Sequence, residues 1–242
     1  MKKILFVAVL SVVVITQGSF KKNIISSDKV STNDTLLYEG EKHFANMQQL
    51  TFGGDNAEAY FSFDGKYIIF QKTYAKDGVP CDQIYVGKVP AAGEKFEYKR
   101  ISNGKGRTTC GAFLKDGKHV VFASTHLDAD NCPPAPDRAK YGNKYIWPLY
   151  SSYDIFMADL NGNIVKQLTN SKGYDAEATI SPDGKKMLYT STKDGDIDLY
   201  IMNLKTGKEK RITSALGYDG GAWFSPDGKK INLACKQAKN RS

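Results

Sequence analysis

From residue 49 onward, short runs of apolar residues recur just after Asp-Gly pairs, and their recurrence sets the fold. The runs are Tyr67-Ile68-Ile69-Phe70, His119-Val120-Val121-Phe122, Lys186-Met187-Leu188-Tyr189 and Lys230-Ile231-Asn232-Leu233. A second set follows the first three: residues 82–86, 154–157 and 198–202, each opening on Asp. Runs of this length, rich in β-branched and aromatic residues and bounded by turn residues, predict strands. Asp-Gly between two of them predicts a hairpin, because glycine accepts φ > 0 without a steric penalty. Pro182 and Pro226 help to end the incoming strands. Outside the first twenty residues no helical periodicity is present.

The pattern is a repeat. Gln49-Leu50-Thr51, Arg100-Ile101-Ser102, Gln167-Leu168-Thr169 and Arg211-Ile212-Thr213 each precede an Asp-Gly, with 13, 14, 14 and 14 positions from Thr or Ser to Asp. The third unit, residues 169–212, fits a four-stranded propeller blade of roughly 40–45 residues. One such sheet cannot bury both faces alone, so blades must stack around an axis. Blade one is expected over about 51–101, blade two over 102–168 and blade three over 169–212. Blade four begins at Thr213.

The third unit reads Gly173-Tyr174-Asp175-Ala176-Glu177, then Ser181-Pro182-Asp183-Gly184-Lys185-Lys186, then Asp194-Gly195-Asp196-Ile197-Asp198-Leu199-Tyr200. It closely resembles the PD40 (WD40-like) repeat of TolB-type propellers, and Ser225-Pro226-Asp227-Gly228 repeats its signature. Units one and two are looser, with Ser62-Phe63-Asp64-Gly65 and Leu114-Lys115-Asp116-Gly117. The resemblance spans about residues 46–233. It implies an exported, six-bladed type of propeller that binds proteins or envelope components. It also implies that the N-terminal strand, here Asn46–Thr51, completes the last blade. The expected fold class is therefore all-β, an incomplete propeller arc of three full blades and a partial fourth. In unit four Asn232 takes an apolar position and strands three and four have no counterpart. On that ground the chain is read as a truncated or frame-shifted piece of a longer propeller.

The ends add an address. Lys2 and Lys3 precede an apolar run from Ile4 to Ile15, then Thr16-Gln17-Gly18-Ser19 turns small and polar. That is the layout of an export signal over residues 1–18, too short to span a bilayer comfortably; the alternative is an uncleaved anchor. Residues 19–45 read as a polar leader, 46–235 as blades and 236–242 as a basic tail. The net charge of +8 is concentrated at the ends. No basic stripe interleaved with aromatics marks the middle, so nucleic acid is not expected as a partner. Cys81, Cys110 and Cys132 fall in neighbouring blades, and export would permit one disulfide among them; the pair is left open, as are buried free thiols.

The sequence offers little catalytic chemistry. His43, His119 and His126 are scattered, no hydrolase elbow or P-loop occurs, and neither a metal nor a cofactor is expected. Asp194, Asp196 and Asp198 lack a calcium-loop layout and are read as turn residues. Asp55, Asp175 and Asp219, with Glu58 and Glu177, are placed just before the inner strands, either as an acidic rim for a cation or basic partner or as solvated loop residues. The most unusual stretch is an insertion in blade two, about Thr125 to Tyr153, with Cys132-Pro133-Pro134-Ala135-Pro136 followed by Tyr141, Tyr145, Trp147, Tyr150 and Tyr153. Those aromatics either contact a ligand or fold back as a cap. The candidate binding set is thus Tyr141, Tyr145, Trp147, Tyr150, Tyr153, Asp175, Glu177 and Asp219. The expected function is non-enzymatic: an exported scaffold or binding module for a protein or envelope component, a glycan included. The alternatives are the accessory propeller of a larger hydrolase and a glycan-active propeller.

Overall fold

The computed structural model describes residues 25–26, 31–32, 38–142, 144 and 146–237. The expected export signal, most of the leader and the end of the tail lie outside them, as does Tyr145. Two short pieces, β1 (Ile25–Ser26) and β2 (Ser31–Thr32), precede β3 (Gln48–Gln49). Blade one contains β4 (Asp55–Phe61), β5 (Tyr67–Tyr74), β6 (Val79–Lys88) and β7 (Glu97–Arg100). Blade two contains β8 (Thr108–Phe113), β9 (His119–Ser124), β10 (Asp154–Asp159) and β11 (Ile164–Gln167). Blade three contains β12 (Asp175–Ile180), β13 (Lys186–Ser191), β14 (Asp198–Asn203) and β15 (Glu209–Arg211). Blade four has β16 (Gly217–Phe224) and β17 (Ile231–Gln237).

Every blade is an antiparallel meander in chain order, and β1 adds a fifth strand beyond β7 in the first. The all-β architecture and its incomplete arc are as the repeat predicts. Among the described residues no helix is long and apolar enough to cross a membrane.

The repeated residues are the ones that make the turns. Ser62, Ser181 and Ser225 each donate a hydroxyl to the Asp two residues on, at 2.7, 2.6 and 2.6 Å. The same oxygens accept the N–H of Tyr67, Lys186 and Lys230 at 3.0, 2.9 and 2.9 Å. Gly65, Gly184 and Gly228 complete the turn with φ between 69 and 75°, each donating its N–H to the carbonyl of that serine. Blade two lacks the serine, and Asp116 instead holds the N–H of Lys118 and His119 at 2.8 and 3.0 Å. The Leu-Thr element has a separate task. Ser102, Thr169 and Thr213 accept the N–H of Ile84, Ile155 and Leu199 at 3.0, 2.9 and 2.9 Å, pinning the end of each blade to its third strand.

The core lies in the seams between blades. Ile69, Ile84 and Val86 of blade one meet Phe113, Val120 and Phe122 of blade two. Val121, Tyr153 and Ile155 meet Tyr174, Met187 and Tyr189 across the second seam. Leu188 and Leu199 meet Ala222 across the third, with Phe224, Ile231 and Leu233 only partly buried. Each fully buried large side chain contributes roughly 1.5–3 kcal/mol. The sheets therefore depend on their neighbours for stability, as stacked repeats do.

The segment Asn46–Thr51 departs from its expected place in the last blade. Its strand β3 pairs with β2. Gln48 Nε2 donates to the Glu94 carbonyl at 3.0 Å, and Leu50 packs against the Phe70, Tyr85, Phe96 and Tyr98 cluster on the outer side of blade one. That aromatic cluster gives the segment a buried contact on blade one, while blade four remains two-stranded. Its strand β17 also runs to Gln237, two residues into the stretch expected as tail.

Candidate functional site

All four inner strands share one backbone irregularity. Glu58, Cys110, Glu177 and Gly221 each stand four residues before the first residue of the hairpin turn, and each has φ between 51 and 59°. The pairing register breaks at the same point in every blade, between Ala57 and Tyr60, Thr109 and Ala112, Ala176 and Thr179, and Gly220 and Trp223. These are β-bulges, which re-aim a side chain and bend the strand. A left-handed conformation costs a non-glycine residue roughly 1–2 kcal/mol, so three of the four blades carry strain there.

The bulges bind each blade to the next. The Glu177 carboxylate accepts the Thr190 hydroxyl at 2.7 Å, the Tyr218 hydroxyl at 3.2 Å and the Gly221 N–H of blade four at 2.8 Å. At the first seam Gln71 has the equivalent role, its Oε1 accepting the Cys110 N–H at 3.1 Å and the Thr109 hydroxyl at 3.0 Å. Glu58 accepts the Tyr60 hydroxyl. Tyr60 also packs on Trp223 with ring centroids 4.9 Å apart, so the inner strands of blades one and four meet. Burial and the nearby carboxylates of Glu58 and Glu177 raise the Tyr60 and Tyr218 hydroxyls above the usual phenol range. Burial pushes the Cys110 thiol up to about 12. A thiol held protonated in this way is a poor nucleophile.

The blade-two insertion folds back on this face. A disulfide joins Cys81 of β6 to Cys132 and ties the insertion to blade one, leaving Cys110 and Cys235 as free thiols. At its start His126 packs on Phe156 with ring centroids 4.4 Å apart. At its end Tyr153 is buried against Tyr174, and Tyr150 turns its hydroxyl to the Pro134 carbonyl at 2.6 Å. Tyr141 stands exposed in a 3-10 turn over Arg138–Tyr141 that Asp137 caps. Trp147 is about half exposed and meets Tyr218 edge-on at 6.4 Å. Ile146, Trp147, Leu149, Ile197 and Tyr218 line an open, largely apolar hollow of about 310 Å³. The insertion thus folds back as a cap at Tyr150 and Tyr153 and leaves Trp147 and Tyr141 exposed.

The acidic residues divide in the same way. Glu58 and Glu177 lie within the inner strands, at the bulges, and not before them. Asp175 and Asp219 are buried in the seams, where their N–H groups donate to the carbonyls of Tyr153 and Ile197, both at 3.0 Å. Asp55 is one position out of step with them, since the residue six before the turn is Asn56, Thr108, Asp175 or Asp219. Asp154 lies across the second seam. Burial, with Asp175 nearby, pushes its carboxyl up to about 6. Asp196 accepts the Gly217 N–H, while Asp194 and Asp198 both face Arg211 and Asp194 also accepts the Tyr200 hydroxyl. Among the described residues no three His, Cys, Asp or Glu side chains converge as metal ligands. Tyr60, Cys110, Tyr218 and Gly221 were not among the candidate site residues; counting back four residues from each turn would have aligned the two bulge residues among them with Glu58 and Glu177.

Antiparallel sheets of two to five strands, stacked face to face with bulged strands innermost, define a β-propeller arc. Residues 143–242 match the family model described as the TolB beta propeller domain, PD40. TolB from Acinetobacter baumannii superposes with a TM-score of 0.53 at 22% identity, over 76% of this chain and 39% of that protein. A TolB candidate from Agrobacterium tumefaciens gives a TM-score of 0.41 at 15% identity, over 78% and 73% of the two chains. The chain thus spans about two-fifths of the length of the Acinetobacter TolB. No curated protein matches it. Over residues 143–242 the chain is similar to the PD40 family of TolB propeller domains, and its fold resembles that of the Acinetobacter TolB.

Proposed function

We propose that the chain is an exported binding module, without catalysis of its own, that takes an extended polypeptide segment of an envelope protein at the mouth of the arc. The observation that carries this reading is the junction at Tyr218. One side of its ring lines the apolar hollow with Trp147, and its hydroxyl bonds the Glu177 carboxylate. A segment with a large apolar side chain followed by a basic one matches that junction, with the apolar group beside Trp147 and the cation toward Glu177. Half-exposed aromatics beside a buried scaffold are efficient contact residues. The PD40 repeats support a protein-binding module in general. Export, with residues 1–18 as its signal, is supported by the disulfide, since such bonds persist in oxidising compartments.

The test is a peptide array in which apolar-basic pairs are varied systematically, probed with the parent chain and with Trp147→Ala. Apolar-basic sequences should be retained, with at least about tenfold weaker binding to the variant. Retention of sugars on a glycan array with no preference among peptides would sink the proposal.

A further inference from the structure

The three seams act as internal controls for one another. In each, the Asp at the equivalent position of the third strand of one blade, Asp82, Asp154 or Asp198, faces the start of the next blade's inner strand. The first seam pairs Asp82 with Thr108, whose hydroxyl donates to the Asp82 carbonyl at 3.0 Å, and Arg107 Nη1 lies 3.7 Å from the Asp82 carboxylate. The third seam holds Asp198 and Asp219, both buried, and Arg211 pairs with Asp198. The second seam also holds two carboxylates, Asp154 and Asp175. Where Arg211 stands in blade three, blade two has Gln167, which donates its Nε2–H to Asp154 at 3.0 Å but brings no charge. Among the described residues neither Asp154 nor Asp175 has an ion pair.

Asp175 makes the deficit concrete. It is 1% exposed, its Oδ2 accepts the Ser171 hydroxyl at 2.8 Å, and its Oδ1 is buried with no hydrogen-bond partner. A buried carboxylate oxygen without a partner is costly and calls for a missing positive group. The groups around it are oxygen-rich: the Asp154 carboxylate, the Thr169 hydroxyl 3.4 Å from it and the Ser171 hydroxyl. Such a set suits a hard cation and offers nothing to a soft one.

We propose that the second seam binds a divalent cation of the calcium class between Asp154 and Asp175, with the Thr169 and Ser171 hydroxyls as neutral ligands. The cation does there what Arg107 and Arg211 do in the flanking seams. Water completes the six to eight oxygens that such an ion takes.

The experiment is thermal unfolding of the full chain near neutral pH, in chelator and in ~1 mM calcium. The expected result is a rise of about 3 °C with calcium. Asp175→Asn should abolish the rise. Gln167→Arg, which copies the third seam and so retains the fold, should abolish it too while raising the melting temperature in chelator. No rise in the parent chain, or a rise that survives in either variant, would overturn the proposal. So would stabilisation of the calcium-free protein on acidification to about pH 5 with no calcium effect, because the pair would then hold a proton.

Discussion

Removing the Cys81–Cys132 disulfide, by the double change Cys81→Ala and Cys132→Ala, tests how the insertion is held. The two cysteines are 51 residues apart in sequence. Closing a loop of that size lowers the chain entropy of the unfolded state enough to stabilise the fold by about 4 kcal/mol at 25 °C. The loop contains the last two strands of blade one, the first two of blade two and the start of the insertion, so the loss should fall on the first seam. Urea titration followed by tryptophan fluorescence is the assay. The double variant should lose about 4 kcal/mol and show a steeper denaturant dependence, because its unfolded state is more expanded. Trp147 should become more solvent-exposed and Trp223 should not. A loss under about 1 kcal/mol would refute the reasoning and show that Tyr150, Tyr153 and His126 hold the insertion unaided.

Three further outcomes follow from the repeat and its exceptions. Ser181→Ala removes a buried hydroxyl that both donates to Asp183 and accepts from Lys186, and should cost about 1–2 kcal/mol by chemical denaturation. Gly221→Ala meets no atom closer than 3.7 Å, yet should cost roughly 1–2 kcal/mol because φ is 59°; a neutral result would show that the bulge relaxes freely. Burial, and secondarily Lys105, lowers the His126 pKa below its usual 6.5, so its contribution is present above that value and is lost as pH falls through the lower folded value. Limited proteolysis within residues 127–152 should therefore accelerate on acidification, and His126→Gln should flatten that pH dependence.

The blade scaffold was legible because its signals are local. Ser181, Asp183 and Gly184 close their own turn, and Thr169 closes its own blade end, so residue type and spacing suffice to find them. The site was less legible because its geometry is set between blades. Glu58 and Cys110 share a conformation but no chemistry, so no residue pattern joins them until the turns are used as a ruler. The Cys81–Cys132 pairing depends on where a long insertion folds back. Asp175 and Asp219 looked like rim residues because the sequence places them at strand starts; their burial is decided by the carbonyl each meets on the preceding blade. Asn46–Thr51 was misplaced because its contact, the aromatic cluster of blade one, is formed by residues up to about fifty positions downstream.

At the bulge the fold dictates a backbone shape and leaves the side chain unspecified: glutamate, cysteine and glycine all occupy it with nearly the same torsion. The cost of the left-handed conformation falls on any non-glycine residue, so one can replace another without changing the backbone path, although at Glu177 the side chain also ties blade three to blade four. The innermost ring is therefore the region of the molecule where chemistry can change without a change of architecture. Blades of this kind can diverge in what they bind while their turns remain almost identical.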